Sequence, residues 1–160
     1  MAKRPQLPLD TEKLTEMVMA RMLRLHQRVY ERTDGKLGAR LAGVSCLLLR
    51  TTGRRSGATR TVALAYATDG PDYILVASNN GSDQPPGWLE NLRAHPEVEI
   101  QVGTVRSPGT ASVVERGAPP YERLLRLANA NNSWRYFHYQ QKTSRPIPVV
   151  LVSPAPIALH

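Results

Sequence analysis

Several things are scarce in this chain, and each scarcity removes a class of answer. One cysteine and one phenylalanine occur in 160 residues, and aromatics make up 6% of the total. The lone Cys46 cannot close an internal disulfide and leaves no multi-cysteine metal site; within the apolar run Cys46-Leu47-Leu48-Leu49 it reads as a packing residue. No stretch of about 18 apolar residues exists, which excludes a helical membrane span. Met1 to Asp10 are basic and contain proline but lack the apolar core of a secretory signal, so the expected compartment is the cytoplasm. Carboxylates are scarce too: 13 Asp and Glu stand against 21 Lys and Arg, a net charge of +8.

The excess is concentrated. Residues 1–60 carry 13 bases against five acids, whereas the remaining hundred carry eight of each. All the surplus positive charge therefore precedes residue 61, and such asymmetry calls for an anionic partner: nucleic acid, an acidic membrane surface or a polyanionic small molecule. At 160 residues and 41% apolar content, one domain with a real core is expected.

What the chain does have is an arginine-rich turn. Arg50-Thr51-Thr52-Gly53-Arg54-Arg55-Ser56-Gly57-Ala58-Thr59-Arg60 lies between the apolar runs Cys46–Leu49 and Val62–Ala65, as a tight connection between two strands would. Its two glycines allow a sharp bend and close approach of backbone N–H groups to a ligand. Guanidinium forks, backbone donors and short hydroxyls together suit an anion with several oxygens. A solvated basic hairpin tip is the plainer reading.

Residues 11–32 read as a helix capped by Asp10 or Thr11. Val18, Met22, Leu25 and Val29 recur at helical spacing, with Arg21, Arg24, Arg28 and Arg32 on another face. Such a helix covers a sheet, lies on anionic lipid or closes over a cofactor tail. Strands are expected near 45–51, 60–68, 72–78, 97–105, 109–115 and 147–152, with turns at Asp69-Gly70-Pro71-Asp72 and Ser107-Pro108-Gly109. Helices are expected near 87–94, broken before Pro96, and near 119–130, opened by Pro119-Pro120. Short strands in succession argue for antiparallel pairing, and the whole for an α+β barrel with two or three flanking helices.

Two further stretches offer chemistry. Val76-Ala77-Ser78-Asn79-Asn80-Gly81 runs from a strand into a polar loop, where small residues leave room for a planar heterocycle and Ser78, Asn79 and Asn80 offer donors and acceptors at its edge. In Pro85–Pro96, Trp88 and Leu92 share a helical face, with Asn91 one turn along from Trp88.

Leu48 to Gly57, then Ala77-Ser78, then Pro86-Gly87-Trp88-Leu89-Glu90-Asn91-Leu92, then His95-Pro96, resemble the deazaflavin-dependent nitroreductase family, as does the closing Arg145-Pro146-Ile147-Pro148-Val149-Val150. The similarity covers roughly residues 37–154. It implies a split β-barrel over 37–160 behind a basic amphipathic helical segment over 1–36. It also implies coenzyme F420, an 8-hydroxy-5-deazaflavin with an oligoglutamate tail, as donor of a hydride to a quinone, nitroaromatic or related electrophile. By that resemblance Arg54, Arg55, Ser56, Gly57 and Arg60 hold the phosphate and tail. Ala63, Leu64, Val76, Ala77, Ser78 and Asn79 line the ring, while Gly87, Trp88 and Asn91 close the other side. Tyr136 supplies a donor or proton to the charge that develops on the acceptor, with Ser78 and solvent as rivals.

The chain departs from the family pattern at Asn79 and Asn80, where members often carry lysine and glycine, and at Gly87, often a methionine. Ala130 and Ser133 thin the aromatic substrate wall on what is expected to be the helix of Tyr136, favouring quinones over bulky nitroimidazoles. An enzyme of similar fold that binds flavin mononucleotide needs one terminal phosphate site rather than an extended basic groove. A nucleic-acid or membrane module without catalysis would account for the charge, but no nucleic-acid motif is present. The expected partners are a small-molecule electron acceptor and, through the N-terminal helix, the inner face of the cell membrane.

Overall fold

The computed structural model describes residues 11–156; Asp10, one of the two expected caps, lies outside them. The chain opens with helix α1 (Thr11–Arg32), followed by strands β1 (Arg40–Leu41), β2 (Val44–Thr52), β3 (Thr59–Ala65), β4 (Ala67–Asp69) and β5 (Asp72–Val76). A 3₁₀ turn (Asn79–Gly81) leads to α2 (Gly87–Ala94), β6 (Glu97–Val102), β7 (Val105–Val114), α3 (Tyr121–Asn131), α4 (Arg135–Lys142) and β8 (Val149–Pro154).

Pairing is antiparallel throughout, in the order β1-β2-β6-β7-β8-β5-β4, with β3 also on β2. Tyr66 alone separates β3 from β4, yet β3 pairs with β2 and β4 with β5. One bent run of chain thus ties one end of the sheet to the other and curls it into the expected split β-barrel. The outer edge of β3 is covered by a side chain: Gln27 of α1 donates to the Thr61 carbonyl (3.0 Å) and accepts from the Ala63 N–H (3.2 Å). That amide stands in for a neighbouring strand at an edge that would otherwise be open.

The continuous apolar runs of β2, β5 and β8 follow from burial on both faces. Leu47 and Leu49, Leu75, Val150 and Val152 point into the barrel, where Trp88, Leu89 and Leu92 of α2 close one end. The alternate residues point out. Cys46 and Leu48 meet Tyr30 of α1, and Ile74, Val76 and Val149 meet Tyr121 and Leu124 of α3 and Tyr136 of α4. Cys46 is therefore the packing residue expected.

Four expectations need correction. The stretch Ser107-Pro108-Gly109 lies inside β7; the turn falls instead at Gly103, whose φ of +58° reverses the chain. Pro108 is tolerated because its carbonyl accepts from Ala155 N (2.8 Å), beyond the last β7–β8 pair, so its missing N–H breaks no ladder bond. The run expected over 60–68 is interrupted at Tyr66. Ala130 and Ser133 do not share a helix with Tyr136: left-handed Ser133 (φ 53°) and Trp134 (φ 60°) end α3 and start α4 anew. Lastly, the apolar stripe of α1 does not cover the sheet. Val18, Met22 and Leu25 are 51%, 56% and 63% exposed, and the helix is anchored by Tyr30, fully buried, with His26 on the Gly38 carbonyl (2.6 Å).

Candidate active site

The β2–β3 connection is the arginine turn, as its sequence predicts. Gly53 N donates to the Ala58 carbonyl (2.8 Å), Gly57 N to the Gly53 carbonyl (2.8 Å), and Ala58 N to Ser56 Oγ (3.1 Å). Gly57 has a φ of +70°, a conformation that glycine adopts without steric cost. Arg54 N donates to Asn91 Oδ1 (3.2 Å). Of the tip residues 53–58, this leaves the N–H groups of Arg55 and Ser56 without a protein acceptor among the described residues.

Beside this tip runs an open groove of about 460 Å³. Gly53 to Ser56 line it from the tip, Arg60, Thr61 and Val62 from β3, and Gly87, Trp88 and Asn91 from α2. No carboxylate lines it, and Arg55 and Arg60 have no carboxylate partner among the described residues. Two adjacent backbone donors, two uncommitted guanidiniums and a hydroxyl at Ser56 make an anion-binding concavity. Trp88, at 8% exposure, offers an aromatic wall against the barrel end.

Seven of the predicted residues, Arg54, Arg55, Ser56, Arg60, Gly87, Trp88 and Asn91, thus meet in one groove. The others do not line it. Gly57 caps the tip outside the lining, and Ala63 and Leu64 lie on opposite faces of β3, Ala63 toward Tyr30 and Leu64 into the barrel. Val76 and Ala77 divide in the same way between the outer and inner clusters. The groove ends at Val62; Thr61 and Val62 were not among the expected site residues, although they directly follow Arg60. Arg50, part of the turn in sequence, is withdrawn from it: its guanidinium holds Glu99 (3.2 Å) and Gln101 (2.9 Å) on the outer face of the barrel.

Ser78 and Asn79 belong to a loop with three successive positive φ values, Asn79 (45°), Asn80 (55°) and Gly81 (80°). Arg145 pins this loop by donating to the carbonyls of Ala77 (3.2 Å), Ser78 (2.9 Å) and Ser82 (2.8 Å). Desolvation in that position lowers the pKa of the guanidinium. Asn79 turns its amide to the Gln84 carbonyl (2.9 Å), bracing the same loop. Nothing in the spacing of the sequence marked Arg145 for this work. Tyr136 is packed at 8% exposure in the outer cluster under α3. Burial pushes its hydroxyl up to about 12, against a smaller opposing pull from Asn132.

Comparison with known proteins shows the family and the fold. The family model for F420H2-dependent quinone reductases matches residues 22–154, taking in the last part of α1 as well as the barrel. An F420H2-dependent quinone reductase of Mycobacterium tuberculosis is 46% identical over 141 residues, which make up 88% of this chain and 95% of that protein. A solved structure described as an F420H2-dependent reductase is 36% identical, with a TM-score of 0.60 over 68% of this chain and 93% of the other. Another, described as a domain-swapped dimer, is 31% identical with a TM-score of 0.63, covering 87% of this chain and 98% of its own. The matched region includes the arginine tip, both walls of the groove and the loop held by Arg145. This chain belongs to the F420H2-dependent quinone reductase family.

Proposed function

We propose that this protein transfers a hydride from reduced coenzyme F420 to a quinone, with the groove between the arginine tip and α2 as the seat of the cofactor. The observation that carries this reading is the groove's donor set: Arg55, Arg60 and two open N–H groups, with no carboxylate among them. Such a set matches the phosphodiester and carboxylate oxygens of the deazaflavin, so the residues fit the group. When bound, the reduced deazaflavin supplies hydride rather than single-electron chemistry. The protein's part is to grip, orient and screen. Arg55, Arg60, Ser56 and the tip N–H groups hold the anionic end; Trp88 and Val62 provide apolar wall. Tyr136 packs in the outer cluster rather than along the groove, so no part in binding is assigned to it.

A fluorescence titration of the purified protein against coenzyme F420 and flavin mononucleotide tests the reading. Tighter binding of the deazaflavin is expected, and equal or tighter binding of flavin mononucleotide would overturn it.

A finer partner is proposed for α1: the anionic surface of a membrane, the source of a lipid-soluble acceptor. Leu14, Met17, Val18, Met22 and Leu25 are each more than half exposed on this helix. By helical spacing Arg21, Arg28 and Arg32 lie along the same side as this stripe, not on the separate face expected of them, while Glu16 and Glu31 fall on other faces. Apolar side chains flanked by arginines suit the interface of an acidic bilayer, whereas a second copy of the helix would set arginine against arginine. No described helix is long and apolar enough to cross a membrane, so the contact is superficial. Co-sedimentation with phosphatidylglycerol vesicles, and its loss on Met22→Glu/Leu25→Glu, is the expected result; absence of sedimentation would refute it.

A further inference from the structure

We infer that Asn91 is a positioning residue, which sets where the arginine tip stands relative to Trp88 rather than gripping the cofactor itself. The inference rests on the groove's being the cofactor site. Asn91 is 6% exposed, on the same face of α2 as Trp88 and one turn further on. Its Oδ1 accepts from both Arg54 N (3.2 Å) and Arg54 Nη1 (3.2 Å), and its Nδ2 donates to Thr51 Oγ1 (3.2 Å). Both lone pairs of the carbonyl oxygen are therefore spent on the protein, and one amide N–H remains.

The mechanical consequence follows from what lies on each side of the bridge. α2 is a fixed reference, because Trp88, Leu89 and Leu92 are packed into the barrel end. The tip is rigid within itself, through its own turn bonds. Among the described residues, Asn91 makes every hydrogen bond between tip residues 53–58 and α2. Thr51, 2% exposed at the end of β2, takes the third contact and fixes the amide plane, so that Oδ1 faces the tip. Holding Arg54 N also decides which tip donors stay open, since Arg55 and Ser56 come next in the chain. Three long bonds contribute modestly to stability; their larger effect is on the separation between anion donors and aromatic wall, which a two-ended ligand must span.

The test is a double-mutant cycle read by deazaflavin fluorescence titration on the full chain, with thermal melts alongside. Asn91→Ala is expected to weaken coenzyme F420 binding about tenfold, and to raise KM for the reduced cofactor while leaving kcat near that of the wild type. Asn91→Ala should cost less affinity in the Arg54→Ala background than in the wild type, because one of its two bonds to Arg54, that from Nη1, is already gone while that from the backbone N–H remains. Leu124→Ala, which loosens the far side of the barrel, supplies a destabilised control with unchanged affinity. Should Asn91→Ala fail to fold, Asn91→Ser, whose hydroxyl is too short to reach Arg54, is read in the same way. Wild-type affinity in a folded Asn91 variant would overturn the inference, since the bridge would then be structural only. Losses that add in full in the double mutant would also overturn it, by showing that Asn91 acts independently of Arg54. Failure of the wild-type protein to bind coenzyme F420 would instead bring down the functional reading, and this inference with it.

Discussion

Gly35 stands so close to the carbonyl of Gly103 that a Cβ at position 35 would overlap that oxygen. The contact locks the exit of α1 against the β6–β7 turn, where Tyr30 Oη also accepts from Gly103 N (2.8 Å). Gly35→Ala should therefore destabilise the protein by about 2 kcal/mol or more, since backbone must move as well as adopt a left-handed alanine. Gly43 shares the positive φ (+80°) but faces open space, so Gly43→Ala should cost about 1–2 kcal/mol, from conformation alone. Urea unfolding of the two variants measures the difference.

At the groove, Arg55→Ala and Arg60→Ala should each weaken cofactor binding about tenfold or more, since a charge-assisted contact is worth about 1.5–3 kcal/mol. The loss should shrink as salt is raised. Arg50→Ala should behave differently, lowering stability through Glu99 and Gln101 with little change in affinity. Titrations at low and high ionic strength separate the three.

Tyr136→Phe should leave cofactor affinity and quinone turnover unchanged, since the ring lies in the outer cluster. A reduced rate with intact binding would place its hydroxyl at the reaction after all. Its effect belongs to alkaline stability. The folded pKa of about 12 exceeds the ordinary value near 10, so the buried hydroxyl stabilises fully below the latter and this contribution is lost as pH rises through the former. The phenylalanine variant should lose less stability over that window, as thermal melts at increasing pH would show.

Arg145→Lys keeps a cation but cannot reach three carbonyls with a planar fork. A loss of about 1–2 kcal/mol is expected, with faster hydrogen exchange confined to the loop around Asn79–Gly81. Uniform exchange rates across the barrel would contradict the assignment.

The hairpin between Thr52 and Thr59 was legible because glycines, arginines and flanking apolar runs all agree on one local structure. The barrel strands were legible for the same reason, as were the walls supplied by the tip and by α2. What escaped depends on distant partners. Pro108 reads as a turn unless Ala155 is known to sit beside it, and the break at Ser133–Trp134 carries neither glycine nor proline. The stripe Val18–Met22–Leu25 reads as a core face, yet the barrel takes Tyr30 instead. Asn91 was recognised as belonging to the groove, but its grip on Arg54, so far away in sequence, is a fact of tertiary structure.

The position of β8 has a bearing on how the chain reaches this form. It lies between β5 and β7, pairing Val76 with Val149 and Val114 with the same residue. Both neighbours are synthesised first, so each waits with an exposed apolar edge for a stave that arrives late. Until then the barrel is an open, adhesive sheet, and nascent chains crowded at that stage would bind one another in place of their own β8.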